Sequence, residues 1–239
     1  MIRKYLYPLI SCICVTAYRP DFLLKAIIYF DSQNYPNREL VISYPVNDHA
    51  SRNLVRAVRQ QAELNILVVE RQSDLSLGMA RNQAVRKCNG DYICVWDDDD
   101  WHREVRLMYQ YTVLRAVRQK REASILTKVI LYDRVRDLVS ISDSYAWPGT
   151  LLCKKELVLA HAYIDSDLSE GTNLIKYLAS SQYLHYYEEH NIYGFIYHGK
   201  NIFTANQFSN LLKDKPSLNQ DSRHWFIRRA DRQAQVIKS

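Results

Sequence analysis

The stretch that most constrains this chain is Tyr92-Ile93-Cys94-Val95-Trp96-Asp97-Asp98-Asp99-Asp100-Trp101. Its first half is β-branched, aromatic and apolar, too short for a helix of its own, and Asn89-Gly90 just before it is a stop signal. It reads as a buried strand that runs straight into four consecutive carboxylates. In an open α/β sheet, ligands bind outside the carboxyl ends of the strands. Four adjacent carboxylates raise one another's pKa and oppose compaction. A charge run is ordinarily a solvated loop. This one is pinned between Trp96 and Trp101 at a strand end, where a hard divalent cation would offset the repulsion. Mg²⁺ takes oxygen ligands, usually one or two carboxylates plus substrate phosphates. The run therefore reads as a metal–diphosphate site.

The chain before it alternates strand and helix. Residues 9–16 are a continuous apolar run, as expected of a strand covered on both faces. Pro20 and Asp21 open a helix with Leu23, Ile27 and Phe30 on one side. Strands follow at 39–43 and 65–69, with a helix around Leu54, Val55 and Val58 between them and another over 79–87. Such alternation predicts βαβ units and a mostly parallel sheet with helices on its faces. After Trp101, Val105, Met108, Tyr111 and Leu114 have helical core spacing. Residues 124–132 and 138–142 read as two strands joined by the charged turn at 133–137. Further on come a break at Trp147-Pro148-Gly149, a short strand at 151–153, a short helix at 155–162 and an acidic loop at 165–170. A helix at 173–178 and two Tyr-rich strands at 183–187 and 192–197 complete the pattern.

With 239 residues and 47% hydrophobic content, the chain is expected to form one domain, residues 1–204, with a helical appendage at 205–239. The net charge of +6 favours anionic partners without choosing among them. The acid run argues against a nucleic-acid binder. Five cysteines without framework spacing read as free thiols in a reducing, cytoplasmic setting. No run approaches the 18 apolar residues of a membrane span, and the N-terminal stretch, basic at Met1-Ile2-Arg3-Lys4 and followed by residues 7–12, is not expected to act as a signal peptide. The basic, aromatic segment 223–238, with Trp225, Phe226 and Ile227, could lie on the inner face of an anionic membrane near a lipid-linked acceptor. It could equally dock on the domain or on a partner. The oligomeric state is open.

Four motifs in order resemble the family 2 glycosyltransferases. Residues 8–20, PLISCICVTAYRP, resemble the family's opening strand and "TYNR"-like turn. Residues 33–42, QNYPNRELVI, resemble its "QxYPNxE" stretch, and Gly78-Met79-Ala80-Arg81-Asn82 its "GxxxARN" helix start. Residues 90–100 resemble "GxYIxxLDxDD". The resemblance spans roughly residues 8–204. It implies a GT-A fold, a nucleotide-sugar donor (UDP-linked by expectation), Mg²⁺ or Mn²⁺, inversion at the anomeric carbon and a glycan or other hydroxyl acceptor. By the same resemblance Asp97 faces the donor's ribose side and the metal, Asp99 the metal, and Asp98 either the donor or, like Asp100, a supporting or capping position. Thr16, Tyr18 and Arg19 fall at the nucleoside end, and Arg81 becomes a donor-side contact. The family's Asp pair after the second strand is replaced here by Ser43-Tyr44-Pro45-Val46-Asn47-Asp48, leaving Asp48 as the displaced candidate for that role.

Inversion needs a general base within hydrogen-bond reach of the acceptor hydroxyl. Ser169-Glu170-Gly171-Thr172 resembles the family's "GEDT"-like loop, with Gly171 where the basic Asp usually stands. Glu170 is the expected base and Asp167 the second candidate; either could instead be an acid favoured by a helix dipole. Residues 197–201, YHGKN, resemble a late "YxHGxNT" segment, making His198 a candidate ligand of metal or diphosphate. Trp147, in a "WxGS"-like bend, is a candidate sugar platform or a core residue. Two alternatives stay open: a module that binds metal and nucleotide without catalysis, as Gly171 suggests, and a nucleotidyltransferase, which would more typically carry a Gly-rich basic loop after the first strand.

Overall fold

The computed structural model describes residues 7–117 and 121–232. Strand β1 (Ile10–Val15) lies parallel to β2 (Arg38–Pro45) on one side and to β4 (Tyr92–Val95) on the other. Strand β3 (Ile66–Arg71) extends the parallel set beyond β2. Alternate residues feed opposite cores. Cys12, Cys14, Leu40, Ile42, Cys94 and Trp96 join one cluster with helix α1 (Pro20–Asp31), while Ile13, Val41, Ile93 and Val95 join another with α3 (Leu77–Lys87). This is why these strands read as unbroken apolar runs: both faces are covered. Helix α2 (His49–Gln61) closes the crossover from β2 to β3.

Beyond β4 the sheet changes character. Strand β9 (Leu152–Lys154) is antiparallel to both β4 and β6 (Ala123–Leu126), and β10 (Leu184–Tyr187) runs parallel to β6 at the edge. Among the described residues the full order is β10-β6-β9-β4-β1-β2-β3. The chain leaves β1 towards β2 and β3, then crosses back to β4. The crevice between β1 and β4 is therefore the switch point at which open α/β sheets bind ligands.

Two expectations are corrected here. Residues 124–132 are not one strand. Strand β6 ends at Leu126, and β7 (Ile130–Asp133) belongs to a second sheet. At the break, the Thr127 N–H donates to the Tyr187 carbonyl and the Val129 N–H to Ser142 Oγ. The second sheet is ordered β5-β11-β7-β8, from β5 (Trp101–His102), β11 (Tyr193–Tyr197), β7 and β8 (Leu138–Ile141). The acid run is thus the bridge from one sheet to the other. Helix α4 (Arg106–Ala116) also turns a different face inward: its buried residues are Arg106, Leu107, Gln110 and Leu114. Buried Arg106 donates to the carbonyls of Val95 and Gly149, and Gln110 to that of Thr150, each at 2.8–3.0 Å. A polar stripe ties the end of β4 to the bend after Trp147, so the apolar spacing 105/108/111 marked a half-buried flank.

Helices α5 (Lys155–Ala160) and α6 (Thr172–Ser180) flank the loop 165–170. The C-terminal part forms α7 (Ala205–Leu212), opened by a Thr204–Gln207 capping box, and α8 (Gln220–Arg232). Phe208 is buried in the core under the second sheet. Phe226 is also buried, edge-on to Trp101 and Tyr132 and against Gly194. One of the three apolar residues expected to face a membrane is therefore used in the interior; residues 233–238 of that segment lie outside the described residues. All five cysteines are free and buried. Among the described residues no helix is long and apolar enough to cross a membrane.

Candidate active site

The four carboxylates have separate environments. Trp96 anchors the run from below: it is fully buried, donates Nε1 to the Ala26 carbonyl and stacks on His102 with ring centroids 3.9 Å apart. Arg106 donates to His102 Nδ1, so the neutral ring donates its Nε2 proton to the Asp97 carbonyl at 3.0 Å. Burial, then the Arg106 charge, holds the His102 pKa well below the ordinary histidine value.

Asp97 is the most open of the four, and its Oδ1 takes Arg81 Nη2 at 2.6 Å. Asp98 is almost fully buried and accepts from Thr16 Oγ1 at 2.5 Å and from Arg19. Burial, then the neighbouring Asp99 charge, pushes its pKa up to about 7 against the pull of Arg19. Asp99 Oδ2 meets Arg19 Nη1 at 3.0 Å, His198 Nε2 at 3.2 Å and Asn201 Nδ2 at 3.5 Å. Burial alone would raise its pKa, but the His198 hydrogen bond and Arg19 outweigh it and lower it. Asp100 faces inward, accepting from the Tyr193 hydroxyl and the Ile196 N–H, and burial followed by Asp99 and Asp97 raises its pKa strongly. The run is therefore no solvated loop. Its members are sorted into two that present charge, Asp97 and Asp99, and two that are built into the fold.

Asp97 and Asp99 open on a cavity of about 290 Å³, whose lining also includes Arg19, Arg81, Trp147, Asp167, Glu170 and Tyr193. Arg81 is buried, with one nitrogen on Asp97 and the other on Glu170 Oε1, and its guanidinium lies 5.7 Å from the centre of the Tyr163 ring. Burial acts to lower its pKa, but the Asp97 and Glu170 charges overcome this and raise it. Arg81 thus joins the acid run to the loop carrying the expected base. That loop is stitched to the start of α3: Ser76 Oγ donates to Asp165, the Leu77 N–H to Asp167 Oδ1, and the Gly78 N–H to the Ser166 carbonyl. A Cβ on Gly78 would stand 1.9 Å from the Ile164 carbonyl oxygen, so only glycine permits this approach. Asp167 accepts the first N–H of the helix that carries Arg81, Asp165 holds its N-cap residue Ser76, and Glu170 is held by Arg81 instead.

The nucleoside-end candidates divide. Tyr18, at φ 55°, has an exposed ring, and its hydroxyl donates to Asn47 Oδ1. Thr16 is buried and committed to Asp98. Asp48 is buried too. It caps α2 by accepting from the Ser51 N–H and Oγ, and takes the Tyr18 N–H at 2.6 Å. Both its oxygens are engaged and it does not line the cavity, so it is placed as a helix cap that fixes the Tyr18 turn rather than as a group facing a ligand. Asp before a helix is a strong capping signal. Sequence reasoning passed over several residues: Arg106, Tyr193, Phe195, Asn201, Phe203 and Arg71. Arg71 is buried at the end of β3 with Nη2 on the Thr16 carbonyl, while its Nε and Nη1 have no partner among the described residues. An arginine ending a strand that leads to the switch point was the available cue.

Residues 11–120 match the family model described as glycosyl transferase family 2. This segment, just under half of the chain, is similar to the family 2 glycosyltransferases. Its fold is found in TarS 1-349 from S. aureus crystallised with UDP, at TM-score 0.64 and 12% identity over 93% of this chain and 72% of that one. The same TarS fragment with UDP-GlcNAc gives TM-score 0.62 at 12% identity over 93% and 72%. The mannosyltransferase PcManGT from Pyrobaculum calidifontis, with GDP-Man and Mn²⁺, gives TM-score 0.61 at 14% identity over 96% and 74%. No curated protein sequence matches the chain. The architecture is thus the GT-A type, with the acid run of the matched segment at the switch point and the Glu170 loop supplied from outside the matched residues.

Proposed function

We propose that this glycosyltransferase moves a sugar from a UDP-linked donor, with inversion and with the help of Mg²⁺ or Mn²⁺, to a glycan or other hydroxyl acceptor. One observation carries the reading: a single cavity at the switch point is lined by the exposed members of the acid run and by a second carboxylate loop. The residues suit an ion that arrives with its donor. Mg²⁺ usually takes one or two protein carboxylates and completes its shell with phosphates and water. Asp97 and Asp99 supply that number, with His198 within 3.2 Å of Asp99. Among the described residues no three His, Cys, Asp or Glu side chains form a cage by themselves. When bound, such an ion neutralises charge developing on a leaving diphosphate.

The protein's own groups do the rest. Arg19 and Arg81 hold the carboxylates in place, so the site is organised before a donor enters. Tyr18 offers an exposed ring to the nucleobase, and the buried N–H groups of Arg71, without a partner among the described residues, suit a carbonyl acceptor. Glu170 is the base of choice: Arg81 occupies Oε1 and leaves Oε2 without a hydrogen bond among the described residues. An oriented carboxylate with an open oxygen can take the acceptor hydroxyl's proton as the hydroxyl oxygen attacks the anomeric carbon and the nucleoside diphosphate leaves. Asp167, exposed but capping α3 through Oδ1, is the second choice. The test is release of nucleoside diphosphate from UDP- and GDP-linked sugars. Wild-type protein should release it and Glu170→Gln should be slower by about 10²-fold or more. Donor binding without release by either protein would make the chain a binding module.

A further inference from the structure

The cavity is charged in a way that its acceptor has to match. Setting aside Asp98 and Asp100, which are built into the fold, four carboxyl groups line it, Asp97, Asp99, Asp167 and Glu170, against the two guanidinium groups of Arg19 and Arg81. Both guanidinium groups are already paired with carboxylates. Although the chain carries a net charge of +6, this pocket is lined by more carboxylates than cations. A nucleoside diphosphate carried in with one divalent ion adds no net positive charge, so loading the donor does not reverse the sign. Like charges brought together in a partly closed site are strongly disfavoured.

The other half of the lining is apolar. Trp147, Phe195 and Phe203 form one wall, with Trp147 and Phe195 ring centroids 5.8 Å apart and Phe195 edge-on to Phe203. At the mouth stand Tyr145, Leu168 and Ile202, each at least half exposed, at 59%, 50% and 57%. Scattered exposed apolar residues are normal, but a group around one cavity marks a surface meant to be covered. Aromatic walls suit the C–H faces of a sugar ring, and neighbouring carboxylates suit its hydroxyls as acceptors.

Resting on the transferase reading above, we infer that the acceptor is an uncharged glycoside, and that this site rejects acceptors bearing a carboxylate or phosphate next to the attacking hydroxyl. The aromatic wall gives the ring face a place to lie, and Asp167 and Glu170 repel an anion presented there.

A matched pair of probes tests this: p-nitrophenyl β-D-glucoside and p-nitrophenyl β-D-glucuronide, which differ by one carboxylate. Their nitrophenyl groups quench tryptophan fluorescence, and titrations are run with and without UDP and Mn²⁺. The glucoside should quench saturably, and the glucuronide should bind about tenfold or more weakly. The gap should narrow at high salt and in Asp167→Asn, and the quenching should fall in Trp147→Phe. Equal binding, tighter binding of the glucuronide, or no saturable quenching by either would overturn the inference. Failure of the transferase reading would show separately, as no response of the protein to UDP or GDP with metal.

Discussion

Replacing Arg81 by methionine should unsettle the fold and the site together, because Arg81 bridges Asp97 and the Glu170 loop. Its side chain is 6% exposed, that of Glu170 9% and that of Asp97 27%. Removing one partner of a buried ion pair costs about 3–5 kcal/mol, since the remaining charge stays buried without compensation. Water reaches Asp97, so most of the penalty falls on Glu170, and about 3 kcal/mol is the expected loss. For a chain of this size each kcal/mol moves the melting temperature by about 2–4 °C, so Arg81→Met should melt about 6–12 °C lower by calorimetry. The deficit should shrink in acid, where the orphaned carboxyl can take a proton. Adding Glu170→Gln to Arg81→Met should recover part of the loss, giving a coupling energy above about 1 kcal/mol. A drop below about 2 °C, or strict additivity of the two changes, would show that the fork carries no energy, and the account of the preorganised site would fail.

Other outcomes follow from the same geometry. His102, held neutral by burial and Arg106, cannot take up the proton that the unfolded chain binds below its ordinary pKa of about 6.5. Stability should therefore fall as pH drops through that value, by about 1.4 kcal/mol at pH 5.5, and His102→Gln should remove that part of the slope in urea titrations at pH 7.5 and 5.5. Gly78→Ala should lower stability by about 1–3 kcal/mol, because its Cβ meets the Ile164 carbonyl oxygen, and a neutral effect in thermal melts would disprove the tight approach. At Gly171 a Cβ would find only ordinary contacts, 3.6 Å or more from Tyr163 and Pro148. Gly171→Asp should therefore fold normally and restore donor turnover to Glu170→Gln. No recovery in that double variant would separate the site of the base from residue 171.

The parallel half of the fold was legible because its strands are buried on both faces and so read as unbroken apolar runs, with Pro20, Asn34-Tyr35-Pro36 and Asn89-Gly90 as punctuation. The second sheet was not. A two-residue strand such as Trp101-His102 has no period to detect, and the apolar run through 124–132 says nothing about where the chain changes sheets. Helix α4 hid its inward face because that face includes Arg106 and Gln110, whose partners are carbonyls distant in sequence. At the site, the acid run announced itself by composition, but the division of labour among its members depends on Arg19, Arg81, Tyr193 and His198, which only the tertiary structure brings together. Asp48 shows the opposite case: its capping signal was local and readable, and the expectation of a donor contact there came from the family pattern.

Whether Asp97 and Asp99 hold a nucleoside diphosphate through a divalent ion can be read from melting with UDP or GDP, each with and without Mn²⁺. A ligand at about 100 times its dissociation constant adds roughly 2.7 kcal/mol, an upward shift of about 5–10 °C. That shift is expected for UDP only when Mn²⁺ is present, and should be lost in Asp99→Ala. No shift with either nucleotide in the presence of metal, or an equal shift without metal, would contradict it.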